Sequence, residues 1–139
     1  MILALRALHV LGVILWVGGM TTATVVVALG ADDTRRAVAG AARRAVLFVA
    51  TPGLVLAWVA GLSMLVPHWS DAYATAPWMH GKLTIAVVIT ALSGVLTGRL
   101  RKGASGKVTL APGALWGIGL AIPLMAAAVL ILVMLKPGE

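Results

Sequence analysis

Two histidines lie at the starts of long apolar runs, where an imidazole is costly unless it faces a partner. His9 begins a run that continues to about Leu29, and His80 begins a run that continues to about Leu96. When both runs enter a membrane from the same side, the two imidazoles lie at the same depth. Such a pair could bind a haem or a copper ion. We take His9 and His80 as candidate ligands of one metal site, with ordinary interhelical hydrogen bonding as the alternative.

The composition places the chain among membrane proteins. Of its 139 residues 61% are hydrophobic and 11% charged, which is too much apolar surface for a soluble domain of this size. The absence of cysteine excludes disulfides, iron–sulfur clusters and thiolate metal sites. The net charge of +7 comes from basic residues at the ends of apolar runs. Membrane topology and contact with anionic lipid explain that charge, and we do not expect nucleic-acid binding.

Four apolar stretches predict transmembrane helices, because a helix satisfies its own backbone groups in lipid. Each stretch is about 20 residues long, enough to cross a hydrocarbon core of ~30 Å. The connections are short, so neighbouring helices should be antiparallel. The sequence predicts an all-α protein with a single four-helix transmembrane domain over residues 1–139, and spans at about Ala7–Leu29, Val46–Val66, Trp78–Leu96 and Gly113–Leu135.

The basic residues predict the orientation of this bundle. Two of the three connections carry most of the positive charge, whereas the connection from Pro67 to Pro77 carries no Lys or Arg. By the positive-inside rule the two basic connections are cytoplasmic, and both termini are on the extracytoplasmic side. The basic residues concerned are Arg35, Arg36, Arg43, Arg44, Arg99, Arg101, Lys102 and Lys107.

A cleaved signal peptide is the alternative interpretation of the first apolar run. Ala28-Leu29-Gly30 has the small residues of a cleavage site. The run is long for a signal peptide, however, and cleavage would remove His9. We therefore interpret it as the first span.

Helical spacing groups the candidate residues of the first span on one face. His9, Gly12, Trp16, Gly19 and Ala23 recur at helical intervals. The small residues there allow a bulky group or another helix to approach closely. Arg6 lies one turn before His9, where it could bind a porphyrin propionate. Alternatively, Arg6 only extends to the membrane interface.

The third span predicts a second such face and places one lysine opposite to it. The face runs through His80, Gly94 and Gly98. The second and fourth spans have a similar spacing of small residues, and together these faces predict a tightly packed bundle. Lys82 starts on nearly the opposite side from His80 and shares a side with Trp78. It is either a cation for an anionic substrate or cofactor, or a side chain that extends to the interface.

The other polar and sulfur-containing residues add little chemistry. Met64 and Met79 could form a loose His/Met set for Cu(I), although methionine is also ordinary packing material. His68 lies in a connection that we expect to be solvated. The acidic residues all lie in connections or at the end of the chain, so the spans contain no acid for a proton relay.

Several segments resemble the membrane superfamily that contains copper-resistance protein D and the HemJ-type protoporphyrinogen oxidases. The most specific is Trp78-Met-His-Gly-Lys-Leu83, which resembles the W-x-H-x-K-L segment of HemJ-type chains. The other segments touch all the remaining helices. They are Ala7-Leu-His-Val-Leu-Gly-Val-Ile-Leu-Trp-Val-Gly-Gly-Met20, Ala42-Arg-Arg44 with Ala50-Thr-Pro-Gly53, and Leu132-Val-Met-Leu-Lys-Pro137.

The resemblance implies a haem b protein of the bacterial inner membrane that oxidises protoporphyrinogen IX to protoporphyrin IX. Electrons would pass through haem to a quinone or the respiratory chain. His9 would be a haem ligand, and His80 a second ligand or a catalytic neighbour. Lys82 and Arg6 would meet propionates, and Trp78 would line the site, with Trp16 on the His9 face.

Three alternatives remain open at this point. The chain could be an electron-transfer cytochrome without porphyrinogen activity, in which case its haem would be reducible but porphyrinogen would not be oxidised. It could bind or transport copper like copper-resistance protein D, using His9, His80 and Met79. It could also be a packing or accessory subunit. A homodimer or higher homo-oligomer is compatible with each of these hypotheses.

Overall fold

The computed structural model describes residues 1–136, and all regular elements in that range are helical. Four helical segments are long and apolar enough to cross a membrane, which confirms the predicted all-α fold with four spans. The second span is composite: α2 continues through a π-helical turn, Val46–Ala50, into α3. The helices are α1 (Ile2–Leu29), α2 (Arg35–Ala45), α3 (Thr51–Leu65), α4 (Pro77–Ala104) and α5 (Pro112–Leu135).

The helices extend well beyond the apolar runs that predicted them. The basic residues from Arg35 to Arg44 lie on α2, and Arg99, Arg101 and Lys102 lie in the last turns of α4. The prediction that these residues lie in loops is therefore wrong. Hydropathy marks where a chain enters lipid, whereas Arg, Lys and Ala are good helix formers that continue a helix into water.

The π-helical turn has a local cause at Pro52. Proline has no backbone N–H to donate to the preceding turn, and its ring crowds that turn. The wide turn Val46–Ala50 comes directly before α3, in which Pro52 is the second residue. The hydrogen bonding of the second span is therefore locally disturbed in the turn that precedes Pro52. Pro123, in contrast, lies inside a continuous α5.

The spans form a ring, and the seam between α3 and α4 is looser than the others. α1 packs against α3 and α5, and α4 packs against α5 and α2. We call the end of the bundle with the start of α1 and the end of α5 the terminal end, and the end with α2 the basic end. The main core includes Val27, Val46, Leu96 and Leu100 and lies toward the basic end.

The contact between α1 and α3 is a contact of backbones. A Cβ atom on Gly12 would lie 2.5 Å from the Ala57 nitrogen, and one on Gly53 would lie 2.7 Å from the Trp16 nitrogen. Neither neighbour can move aside, because both are main-chain atoms. The small residues predicted to allow close packing do so between these two helices.

The prediction of tight packing is wrong for four glycines of α4 and α5. A Cβ atom on Gly94, Gly98, Gly113 or Gly117 would have no atom within 4 Å among the described residues. Small residues permit close approach but provide little attraction themselves. On α4 the buried side chains, such as Leu96 and Leu100, lie on the other side of the helix.

Replacement of Gly12 by alanine should destabilise the bundle. The added methyl group would meet the α3 backbone, and such overpacking typically costs about 1–3 kcal/mol. We expect Gly12→Ala to lower the free energy of unfolding by that amount, measured by circular dichroism in detergent. Gly18→Ala is the control, since a Cβ atom there meets nothing within 4 Å. Equal stability of the two variants would contradict the backbone contact.

Candidate functional site

His9 projects from α1 toward α3 and is bound there by one hydrogen bond. Its Nδ1 lies 2.7 Å from the carbonyl oxygen of Ala57. A carbonyl oxygen can only accept, so Nδ1 carries a proton, and in the neutral ring the lone pair is then on Nε2. Gly61 makes room for the ring, because a Cβ atom there would lie 3.0 Å from Nδ1. The half-buried imidazole is therefore held in one tautomer with Nε2 open.

This arrangement has the form of a metal-ligating histidine. Such histidines usually donate their second ring N–H to a carbonyl or carboxylate, which fixes the ring and raises the basicity of the ligating nitrogen. The same bond is also what an interhelical histidine makes without any metal. The geometry at His9 thus satisfies the condition for a ligand and is compatible with a structural role.

His80 occupies a different environment at the terminal end. Its Nε2 lies 2.9 Å from the Ala74 carbonyl oxygen, and its ring contacts the Trp69 ring edge-on at 5.5 Å between centroids. The side chain is exposed. Since the carbonyl accepts, His80 donates through Nε2, and in the neutral ring the lone pair is then on Nδ1. The structure therefore holds His80 against the connection before α4 and does not bring its ring to His9.

Lys82, rather than His80, is the residue that α4 brings near His9. It is half-buried and lies close enough to His9 for their charges to interact. The reason is helical geometry, since residues two apart point to nearly opposite sides of a helix. The predicted face through His80 is turned outward, with Val87 on it 57% exposed. The expected opposition of His80 and Lys82 is confirmed.

Trp78 and Met79 pack beneath the connection at the terminal end. They form a small buried cluster with Ala76. The Trp78 ring contacts the Tyr73 ring edge-on at 6.0 Å between centroids, and Lys136 lies over its face at 5.5 Å from the centroid. Trp78 thus joins α4 to the end of α5.

The remaining sequence-predicted residues have separate placements. Arg6 is exposed near the start of α1, and His68 is exposed in the 3₁₀ turn that follows α3. Trp16 is buried on the His9 face, as its spacing predicts, but its indole N–H points to α4. The resemblance at the C-terminus includes Pro137, which lies outside the described residues.

Two indole bridges connect α4 to the tightly packed helices. Trp16 Nε1 donates to Ser93 Oγ at 3.0 Å, and Trp58 Nε1 donates to Thr90 Oγ1 at 3.1 Å. Trp58, Thr90 and Ser93 lie outside the faces that helical spacing predicts. A signal was present, because an indole N–H inside an apolar span needs an acceptor from a neighbouring helix.

Few side chains near His9 could ligate a metal, and this limits which kind of metal group the site fits. Within residues 1–136 no group of three or more His, Cys, Asp or Glu side chains is close enough to hold a metal ion. A bare ion would depend on one or two imidazoles. Haem needs only one or two axial ligands, because the porphyrin supplies the other four nitrogens.

Comparison of the chain with protein-family models, curated proteins and solved structures finds no significant match. A proposal about function therefore depends on the residues and their geometry. These offer an interior imidazole with an open Nε2, an interior ammonium group near it, and an exposed imidazole at the terminal end.

The Trp58–Thr90 bridge can be measured by a double-mutant cycle. Trp58→Phe removes the donor, and Thr90→Val removes the acceptor while conserving shape. We expect a coupling of about 0.6–1.5 kcal/mol in the free energy of unfolding in detergent. The control cycle pairs Trp58→Phe with Ser93→Ala, because Trp58 and Ser93 are hydrogen-bonded to other residues rather than to each other. Coupling that is absent in the first cycle, or equal in both, would contradict the bridge.

Proposed function

We propose that this protein binds haem b in the membrane and acts as a redox protein, with HemJ-type oxidation of protoporphyrinogen IX to protoporphyrin IX as its activity. The observation that carries the proposal is the hydrogen bond from His9 Nδ1 to the Ala57 carbonyl. It leaves Nε2, the nitrogen that carries the lone pair in the neutral ring, available to ligate a haem iron. The resemblance of the His80–Lys82 segment to HemJ-type chains supports the specific activity.

The residues around His9 would position the group and its substrate. Bound haem would supply one-electron transfer toward a quinone or the respiratory chain. Ala57 holds the His9 tautomer, and the absent side chain of Gly61 leaves space for the ring. The Lys82 ammonium group would attract a propionate of the haem or of the porphyrinogen, and Arg6 would bind a second one near the start of α1.

His80 is better placed as a catalytic neighbour than as a second haem ligand. Its ring is held at the terminal end by Ala74 and Trp69, and the hydrogen bond to Ala74 uses Nε2 rather than Nδ1. Porphyrinogen oxidation releases protons together with electrons, so the reaction needs a nearby base. A neutral imidazole can accept such a proton on the ring nitrogen that carries its lone pair. In this proposal His80 receives protons from a substrate bound at the terminal end.

The orientation follows from the charge distribution. The basic end carries the arginines of α2 and the last basic residues of α4. By the positive-inside rule we place this end in the cytoplasm of a bacterium and both termini outside the inner membrane. His9, His80 and Lys82 would then lie near the extracytoplasmic face, where Trp69 and Trp78 form an aromatic belt.

Replacement of His9 should remove the haem. We expect His9→Ala, purified from haem-supplied cells, to lose most of the Soret absorbance of the parent protein, because no other interior imidazole in residues 1–136 replaces it. His68→Ala is the matched control and should keep the Soret band and the reduced α and β bands. Equal haem content in the two variants would exclude the His9 site. Copper retention without a Soret band in the parent protein would favour the copper alternative.

Replacement of Lys82 should separate substrate binding from haem binding. We expect Lys82→Ala to retain haem but to raise KM for porphyrinogen about tenfold, the loss of one charge-assisted contact of roughly 1.4 kcal/mol. Lys107→Ala removes an exposed lysine at the basic end and serves as the control. Unchanged kinetics in Lys82→Ala would show that Lys82 only extends to the interface. A reducible haem in a parent protein that does not oxidise porphyrinogen would identify an electron-transfer cytochrome.

A further inference from the structure

A groove of about 520 Å³ lies between α3 and α4 on the side of the basic end. Its volume is within the range of ordinary ligand clefts, ~300–1,000 Å³. Arg43 and Arg101 are among its lining residues, and the buried Met20 of α1 contributes to its wall. We propose that this groove binds one anionic phospholipid, with the phosphate at Arg43 and Arg101 and an acyl chain along the groove.

The two arginines carry charge that the described chain does not neutralise. Within residues 1–136 the one ion pair joins Arg35 to Asp32, and no acidic residue lines the groove. Arg43 is half-buried and Arg101 is exposed, so together they can reach a group at the membrane surface. Basic sites between helices on this kind of face bind the phosphates of anionic lipids.

The hydroxyl groups of α4 along the groove have no hydrogen left to donate. Thr90, Ser93 and Thr97 each donate to the carbonyl four residues earlier in α4. Thr90 and Ser93 also accept the indole bridges from Trp58 and Trp16. A polar ligand would gain few new bonds from α4 deep in the groove. The arginines at one end are the strong donors, which favours a ligand with an anionic head and an apolar body.

The length of the groove matches one leaflet of a bilayer. Thr90 and Arg101 line it, and they are about 16 Å apart along the helix axis at 1.5 Å per residue. This is about half of a ~30 Å hydrocarbon core. A phosphate at Arg101 would therefore place an acyl chain alongside the groove down to the level of Thr90.

The apolar part of the groove exists because two side chains are missing. Gly94 and Gly98 line it, and a Cβ atom on either would meet nothing within 4 Å among the described residues. Leu47 and Leu54 of the second span form the opposite side. Leu47 is 40% exposed, so the groove opens sideways toward lipid rather than only toward water.

The arginine requirement can be tested by lipid retention. We would purify the protein with phosphatidylglycerol or phosphatidylcholine and count bound lipids by native mass spectrometry. The double variant Arg43→Gln/Arg101→Gln should retain phosphatidylglycerol at least tenfold less well than the parent. Arg44→Gln/Arg99→Gln is the matched control, because it removes equal charge from exposed positions of the same two helical segments that do not line the groove.

The acyl-chain requirement needs a second pair of variants. Gly94→Leu should fill the groove and reduce phosphatidylglycerol retention, whereas Gly117→Leu, an equally open position on α5, should not. The thermal stability of each variant is also measured, so that a loss of lipid caused by misfolding is recognised.

Three outcomes would overturn the proposal. The first is equal loss of phosphatidylglycerol in the two arginine double variants. The second is equal retention of phosphatidylcholine and phosphatidylglycerol by the parent protein. The third is displacement of the lipid by soluble glycerol phosphate as efficiently as by phosphatidylglycerol, which would identify a free phosphate ligand. None of these outcomes depends on haem, so the lipid site and the proposed redox function can fail independently.

Discussion

The backbone contact between α1 and α3 is the constraint on which the rest of the bundle depends. Gly12 and Gly53 let the two helices touch without intervening side chains. In lipid, where hydrophobic burial does not drive helix association, such close van der Waals packing is a major source of attraction. The contact also brings the Ala57 carbonyl within hydrogen-bonding distance of His9. His9, which we propose as a haem ligand, is therefore positioned by two glycines that have no reactive side chain.

The seam between α3 and α4 is the opposite case. There the helices are connected through large side chains, with Trp58 extending to Thr90 and Trp16 extending from α1 to Ser93. An indole spacer keeps helices apart, whereas a glycine contact brings them together. The bundle is thus asymmetric, and the groove with Arg43 and Arg101 lies along its looser seam. Gly94 and Gly98 line this groove, and a Cβ atom on either would meet no described atom within 4 Å.

The sequence predicts the spans and the buried face of α1 well, because both depend on local patterns of hydropathy and helical period. It does not predict the ends of the helices, because arginine-rich segments such as α2 are helical outside the apolar region. It also assigns the wrong interior face to α4. Small residues mark a face that another helix can approach closely. The side chains of the neighbouring helices decide whether it does so. The indole bridges select the side with Ser93, and this places Lys82 rather than His80 near His9.

The same asymmetry separates the two proposed sites. Lys82 and Arg101 lie at opposite ends of α4, about 28 Å apart along its axis. The Trp58–Thr90 bridge crosses the seam between them. A group bound at His9 and Lys82 therefore does not extend into the groove at the basic end. In a bilayer the groove opens toward lipid, and an empty groove would lose van der Waals contacts with neighbouring chains. A lipid chain is therefore the occupant that we expect in the groove, and in our proposal Arg43 and Arg101 select which headgroup accompanies the chain.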